Sequence, residues 1–258
     1  MALIEQLLLL PSVTGAILLM VLTTAVGIPI YVISFRLLAR SQPKQVRRAT
    51  SGLFRVIGIL VSLFLSLTFA DVMLELNQIE AAVEREAVMI MDIHRDLGLY
   101  DSDRARKAQA LLVQYAEAVI EYDWPALAND RLSEEAGKFL WQLEDEVLHL
   151  EAESSMQQIL RSRINSDVDQ ISDLRLTRLE QALAKPPLFL IVVIFGFLAT
   201  MVCFGPHQPN RLTIVLLSLY TLLIGLVIYM ILAYSDPFQG ATGIKPTAIE
   251  FVLEQTRL

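Results

Sequence analysis

One cysteine, Cys203, stands in a chain of 258 residues. A lone thiol closes no intrachain disulfide, so the fold rests on packing. Cys203 lies within an apolar run and reads most simply as a small apolar residue there. Histidine is also scarce. His94, His149 and His207 show no HExxH or paired spacing, which argues against zinc-hydrolase chemistry. No glycine-rich phosphate loop or GxSxG elbow is present, so nothing points to nucleotide binding or serine hydrolysis. The formal net charge is −7. No basic stripe is interleaved with aromatics, which argues against nucleic acid. The N-terminus has no basic n-region, and its first apolar run is too long for a signal-peptide h-region. That run is expected to be a retained membrane helix. No paired catalytic groups emerge, so no enzyme, cofactor or metal is expected.

Long apolar runs, by contrast, are plentiful. They lie near Val13–Phe35, Leu53–Leu74, Pro187–Phe204 and Leu212–Tyr234. Each is long enough to cross a bilayer core, which takes roughly 20 apolar residues as helix. The two pairs bracket a charged middle segment. Over 77–185 that segment carries twelve Lys/Arg against twenty-two Asp/Glu. The linker between the first two runs holds Arg36, Arg40, Lys44, Arg47, Arg48 and Arg55 and no acid. Short loops this basic stay cytoplasmic, and they also suit anionic headgroups. The linker between the last two runs, with His207 and Arg211, agrees. Both termini and the middle segment are therefore expected outside the cytoplasm, in a multi-pass membrane protein.

No alternating strand pattern appears, so the fold expected is all-α. It comprises four transmembrane helices with an inserted helical bundle. Residues 1–76 form the first helix pair and its basic linker, and 77–185 the acidic bundle. Residues 186–235 form the second pair, and 236–258 a turn and a short docked helix. In run one, Pro29 predicts a kink. In run two, Gly58, Ser62, Ser66 and Ala70 recur every four residues. Such stripes let helices approach closely in lipid, and the sharper reading is that Ser62, Ser66 and Thr68 line a polar path.

Neither Gly nor Pro interrupts Leu60–Leu97, which predicts one long helix leaving the membrane and ending at Gly98. A second helix is expected from Ser102, a good N-cap, to Trp124-Pro125. A third should start at Ser133, and a fourth should cover about 155–184, with Ile164, Val168, Ile171 and Leu179 inward. Pro186-Pro187 punctuates the start of run three. After run four, Ser235–Gly240 reads as a turn. Pro246 then opens a last helix whose Ile249, Val252 and Leu253 must pack on something.

Glu86-Ala87 with His94-Arg95, the run Tyr115–Ile120 ending in Asp123-Trp124-Pro125, and Asp236–Gly240 leading to Pro246 share an order. That order resembles the bacterial bestrophin-like membrane proteins of unknown function. These are distantly similar to bestrophins, which are pentameric anion channels lined by the second helix. The resemblance implies four membrane helices, a helical domain, a homo-oligomer (a pentamer) and conduction. Two features depart from the bestrophin pattern. The basic linker puts the helical domain outside the cytoplasm, and Phe54, Phe64 and Phe69 share no face on run two. Anion selectivity is therefore not carried over.

The leading expectation is a homo-oligomeric ion channel, with the bilayer and inorganic ions as its partners. Gly58, Ser62, Ser66, Asp71 and Glu75 are the pore-lining candidates, the two acids forming an outer ring that favours cations. A helix end simply reaching water explains the same acids. Asp236, Pro237 and Phe238 suit a gate, or a turn that folds the tail back. Tyr122 and Trp124 suit a ligand through their rings, or core packing. Asp167, Asp169 and Asp173 lack an EF-hand loop and read as a solvated face. The alternative function is a non-conducting membrane scaffold or sensor whose helical domain binds a partner or signal.

Overall fold

The computed structural model describes residues 12–38, 44–182, 189–205, 207–239 and 243–256. Every regular element among them is helical, and no strand occurs among the described residues. The helices are α1 (Ser12–Leu38), α2 (Lys44–Tyr100), α3 (Asp103–Ala118), α4 (Trp124–Leu127), α5 (Glu135–Leu148), α6 (Ser155–Ala182), α7 (Phe189–Phe204), α8 (Arg211–Tyr234) and α9 (Thr247–Thr256). A π-helical turn, Val119–Asp123, joins α3 to α4. Arg40, Pro186, Pro187 and Gly240 lie outside the described residues. Among the described residues, three helical stretches are long and apolar enough to cross a membrane: Val13–Leu37, Thr50–Tyr100 and Arg211–Tyr234. The third apolar run is described as α7, an apolar helix of 16 residues.

The chain forms two compact units. The first comprises Met1–Leu74, Lys185–Asp236 and Gly240–Thr242; the second comprises Glu75–Ala184, Pro237–Gln239 and Gly243–Leu258. In the first unit α1 and α8 pack closely through small residues. A Cβ on Gly225 would meet the Thr23 hydroxyl and lie 2.9 Å from Met20 Cα. Thr23 Oγ1 donates to the Thr221 carbonyl (3.1 Å), and the Thr24 and Thr221 hydroxyls are 3.0 Å apart. Small residues and hydroxyls do here what apolar burial does in water, since lipid offers no hydrophobic drive between helices. Tyr31 donates to the His207 carbonyl (2.9 Å), and Ser51 Oγ lies 2.9 Å from His207 Nε2.

The second unit is a helical bundle with one apolar core. Ile79, Val83, Ile90 and Leu97 of α2 meet Leu112 and Tyr115 of α3, Leu143 and Val147 of α5, and Ile164 and Ile171 of α6. Ile249, Val252 and Leu253 of α9 are buried in the same core, so the tail helix is docked.

Two helix ends differ from expectation. The long helix does not stop at Gly98. It runs to Tyr100 and ends at Asp101, whose φ of 48° takes the left-handed position, which Asp tolerates better than most residues. A Cβ at Gly98 would meet Gln109 alone, at the tip of its side chain, 3.4 Å away. Nor does the second helix stop at Trp124-Pro125. Ser102 caps it as expected, accepting from the Ala105 amide (3.1 Å). A proline inside an α-helix crowds the carbonyl four residues back. The π turn widens the ladder just ahead of Pro125, with the Trp124 amide bonding to the Val119 carbonyl, and the helix runs on to Leu127. α5 starts at Glu135, whose amide is capped by Ser133 Oγ (3.2 Å).

Candidate functional site

α2 contributes Lys44–Leu74 to the first unit, and there only one side of it is covered. Val61, Leu65, Thr68 and Val72 are buried. Ser62, Ser66, Ala70, Asp71 and Glu75 are exposed, and Gly58 is half-buried with nothing within 4 Å of a Cβ. Thr68, expected beside Ser62 and Ser66, faces the interior and donates to the Phe64 carbonyl (2.7 Å). Ser66 donates to the Ser62 carbonyl (2.9 Å). Ser62 and Asp71 are nine residues apart, about two and a half helical turns. The serine stripe and the acid pair therefore sit on opposite sides of α2. Between them lie exposed apolar residues, Leu60, Leu63 and Leu67 among them.

The second unit assembles residues that are far apart in sequence into a buried ionic cluster. Glu86 of α2, Asp123 of the π turn and Arg178 of α6 are each fully buried. Arg178 grips Glu86 with two parallel bonds, Nε to Oε2 and Nη2 to Oε1, both 3.1 Å. Its Nη2 lies 3.5 Å from Asp123 Oδ2. Tyr115 donates its hydroxyl to Glu86 Oε1 (2.5 Å). Arg175 donates to Asp123 (3.2 Å) and to the Ser133 carbonyl (3.1 Å). Two carboxylates thus face two guanidinium groups, a balance that buried charges require.

The cluster is roofed by aromatics. The Arg178 guanidinium sits 5.2 Å from the Trp124 ring centre, a cation–π geometry. Trp124 meets Phe238 edge-on at 5.4 Å and donates its indole N–H to the Ile244 carbonyl (3.0 Å). The Ile244 amide in turn donates to the Pro237 carbonyl (2.8 Å). Phe238 and Trp124 are therefore core residues that hold the tail, while Tyr122 is 48% exposed.

Burial sets the electrostatics. It pushes the Asp123 carboxyl above its usual range, against the pull of Arg178 and Arg175. Burial and the neighbouring Glu86 carboxylate push the Tyr115 phenol well up, so it stays a donor. For Arg178, burial works against the charge, and Glu86, Tyr115 and Asp123 together outweigh it. The arrangement ties α2, the π turn and α6 together, and Asp123 Oδ1 and Arg178 Nη1 are left without a hydrogen-bond partner among the described residues.

Arg178 was not among the expected inward residues. Ile164, Val168 and Ile171 are buried as expected, and Leu179 is half-buried. Arg178 follows Ile171 by seven residues, as Ile171 follows Ile164. That heptad step was the available signal. Among the described residues no group of His, Cys, Asp or Glu is arranged to hold a metal ion.

Residues 21–249 match the family model of the Bestrophin-like domain. No curated protein matches the chain. Crystal structures of a bacterial bestrophin homologue from Klebsiella pneumoniae, solved in point-mutant forms, are similar. One has a TM-score of 0.66 at 16% identity, covering 93% of this chain and 97% of that one. Another has a TM-score of 0.68 at 15% identity, with the same two coverages. A third crystal structure, described as a membrane protein, has a TM-score of 0.66 at 13% identity, covering 92% of this chain and 96% of that one. At these identities the likeness carries the fold alone.

Proposed function

Since the chain belongs to the Bestrophin-like family, we propose that it is a homo-oligomeric ion channel whose α2 helices surround the path. The observation that carries this reading is the uncovered side of α2, which bears a stripe of small and polar residues through an otherwise apolar span. Gly58, Ser62 and Ser66 line the span. Asp71 and Glu75, half a turn away, sit at the mouth. There a side-facing carboxylate still sets the local potential and favours cations. The exposed apolar residues of the first unit, such as Ile17, Leu63, Val215 and Leu219, require an apolar cover. Lipid and neighbouring copies supply it, and five copies match the bestrophin precedent. The basic residues Arg36 to Arg55 lie on the cytoplasmic side of a bacterial inner membrane, with the second unit outside. Asp236, Pro237 and Phe238 act as the turn that returns the tail.

Ion flux into liposomes containing the purified protein tests this directly. The protein should conduct. In a Cys203→Ala background, Ser62→Cys and Ser66→Cys should react with a water-soluble thiol reagent and lose flux. Asp71→Asn with Glu75→Gln should shift selectivity away from cations. A folded oligomer without flux, with positions 62 and 66 unreactive, replaces this reading with a membrane scaffold or sensor.

A further inference from the structure

The ionic cluster of the second unit is balanced in charge but not in hydrogen bonds. Arg178 uses Nε and Nη2 on Glu86. Asp123 offers Oδ2 to Arg175 (3.2 Å). Arg178 Nη1, a donor, and Asp123 Oδ1, an acceptor, have no hydrogen-bond partner among the described residues. Both residues are 0% exposed, so bulk solvent does not reach these atoms. A buried donor or acceptor left unpaired carries its full desolvation cost, and native interiors hold few of them. Here a donor and an acceptor are left over in one cluster.

A planar guanidinium offers carboxylates more than one edge. The edge formed by Nε and Nη2 is closed on Glu86. The edge formed by Nη1 and Nη2 is the one left for Asp123, and a direct fork there would make two parallel bonds of about 2.7–2.9 Å. Instead Nη2 and Oδ2 stand 3.5 Å apart. Arg175 holds Oδ2 and is itself fixed on the Ser133 carbonyl (3.1 Å). The fork between Arg178 and Asp123 therefore stays open. A group that completes it must accept from Nη1 and donate to Oδ1. An anion would face the Asp123 carboxylate, and a cation would face the Arg178 guanidinium.

We propose that the cluster binds one internal water molecule, which accepts from Arg178 Nη1 and donates to Asp123 Oδ1. Buried waters take such places, each serving about two to four polar groups that nothing else pairs. The water makes the Asp123–Arg178 pair water-separated on its open side and completes the hydrogen bonding of both residues. It can also reverse its role at Asp123, donating to a carboxylate and accepting from a carboxylic acid. The site therefore serves Asp123 in either protonation state. It does not depend on conduction.

A crystal structure of the full-length protein, at a resolution that shows ordered water, tests it. One peak is expected within hydrogen-bond distance of both Nη1 and Oδ1. Asp123→Asn keeps a polar atom at that point and should keep the peak. Asp123→Leu removes one of the two partners and should lose it, while Arg178 stays on Glu86. If Asp123→Leu does not fold, the wild-type map alone decides. A direct Nη1–Oδ1 bond, well-defined side chains with no peak between them, or a peak that survives in Asp123→Leu would each overturn the proposal. So would replacement of the peak by bromide, seen through its anomalous scattering, which would mark an anion site.

Discussion

At the residue scale, Arg178 is the side chain on which most depends. It satisfies Glu86, neighbours Asp123 and stacks on Trp124. Removing one partner of a buried ion pair costs about 3–5 kcal/mol, because the remaining charge is stranded. Arg178→Ala should therefore destabilise the protein by that much in chemical denaturation. Arg178→Lys should recover only part of the loss, since an ammonium cannot make the two parallel bonds. Asp123 gives the pH prediction. Its carboxyl holds its proton more tightly in the folded chain than in the unfolded one. Its contribution is therefore fully present below the ordinary carboxyl value of about 4 and is lost as pH rises through the raised folded value. Asp123→Asn cannot titrate. The wild-type protein should lose stability relative to this variant on going from about pH 4 towards neutrality, read from denaturation midpoints across that range. A pH-independent difference would show that Asp123 is not the titrating group. Sequence made part of this cluster visible. Glu86, Asp123-Trp124 and Asp236–Phe238 all belong to the segments that carry the family resemblance, yet nothing local said that they meet. Arg178 escaped because an arginine in a polar helix reads as solvated, and its partner lies 92 residues away.

At the scale of elements, helices were legible and their ends less so. Periodicity located α3, α5 and α6, and the unbroken stretch after Leu60 announced α2. The ends failed where a local rule was overridden. Gly98 reads as a stop, but the helix runs on to Tyr100 and Asp101 takes the left-handed position. Pro125 reads as a stop, but the π turn ahead of it absorbs the ring. That turn predicts that Pro125→Ala folds with little change in stability, because no clash remains to relieve. Thermal unfolding of the variant checks this. The α1–α8 contact predicts the opposite sensitivity. A side chain at Gly225 meets Met20 backbone at 2.9 Å, and backbone yields less readily than the tip of a side chain. Gly225→Leu should cost about 1–3 kcal/mol as overpacking, seen as a lower melting temperature in detergent. An unchanged melting temperature would mean that the two helices separate freely.

At the scale of the whole molecule, each unit is completed by chain from its far end. In the first, Thr23 and Thr24 of α1 bond to Thr221 of α8, 198 and 197 residues later. In the second, Trp124 is capped by Ile244, and the core takes in Ile249, Val252 and Leu253. Order of synthesis then becomes a physical constraint. At about 5–20 residues per second, α1 waits roughly 10–40 s in the bilayer before α8 is made. During that wait the Thr23 and Thr24 hydroxyls have only their own helix's carbonyls, at Leu19 and Met20, to bond. Nascent chains arrested before residue 211 should therefore leave position 23 open to thiol labelling in a Thr23→Cys variant, and full-length chains should close it. Until α8 and the tail are made, neither unit has its last helix in place.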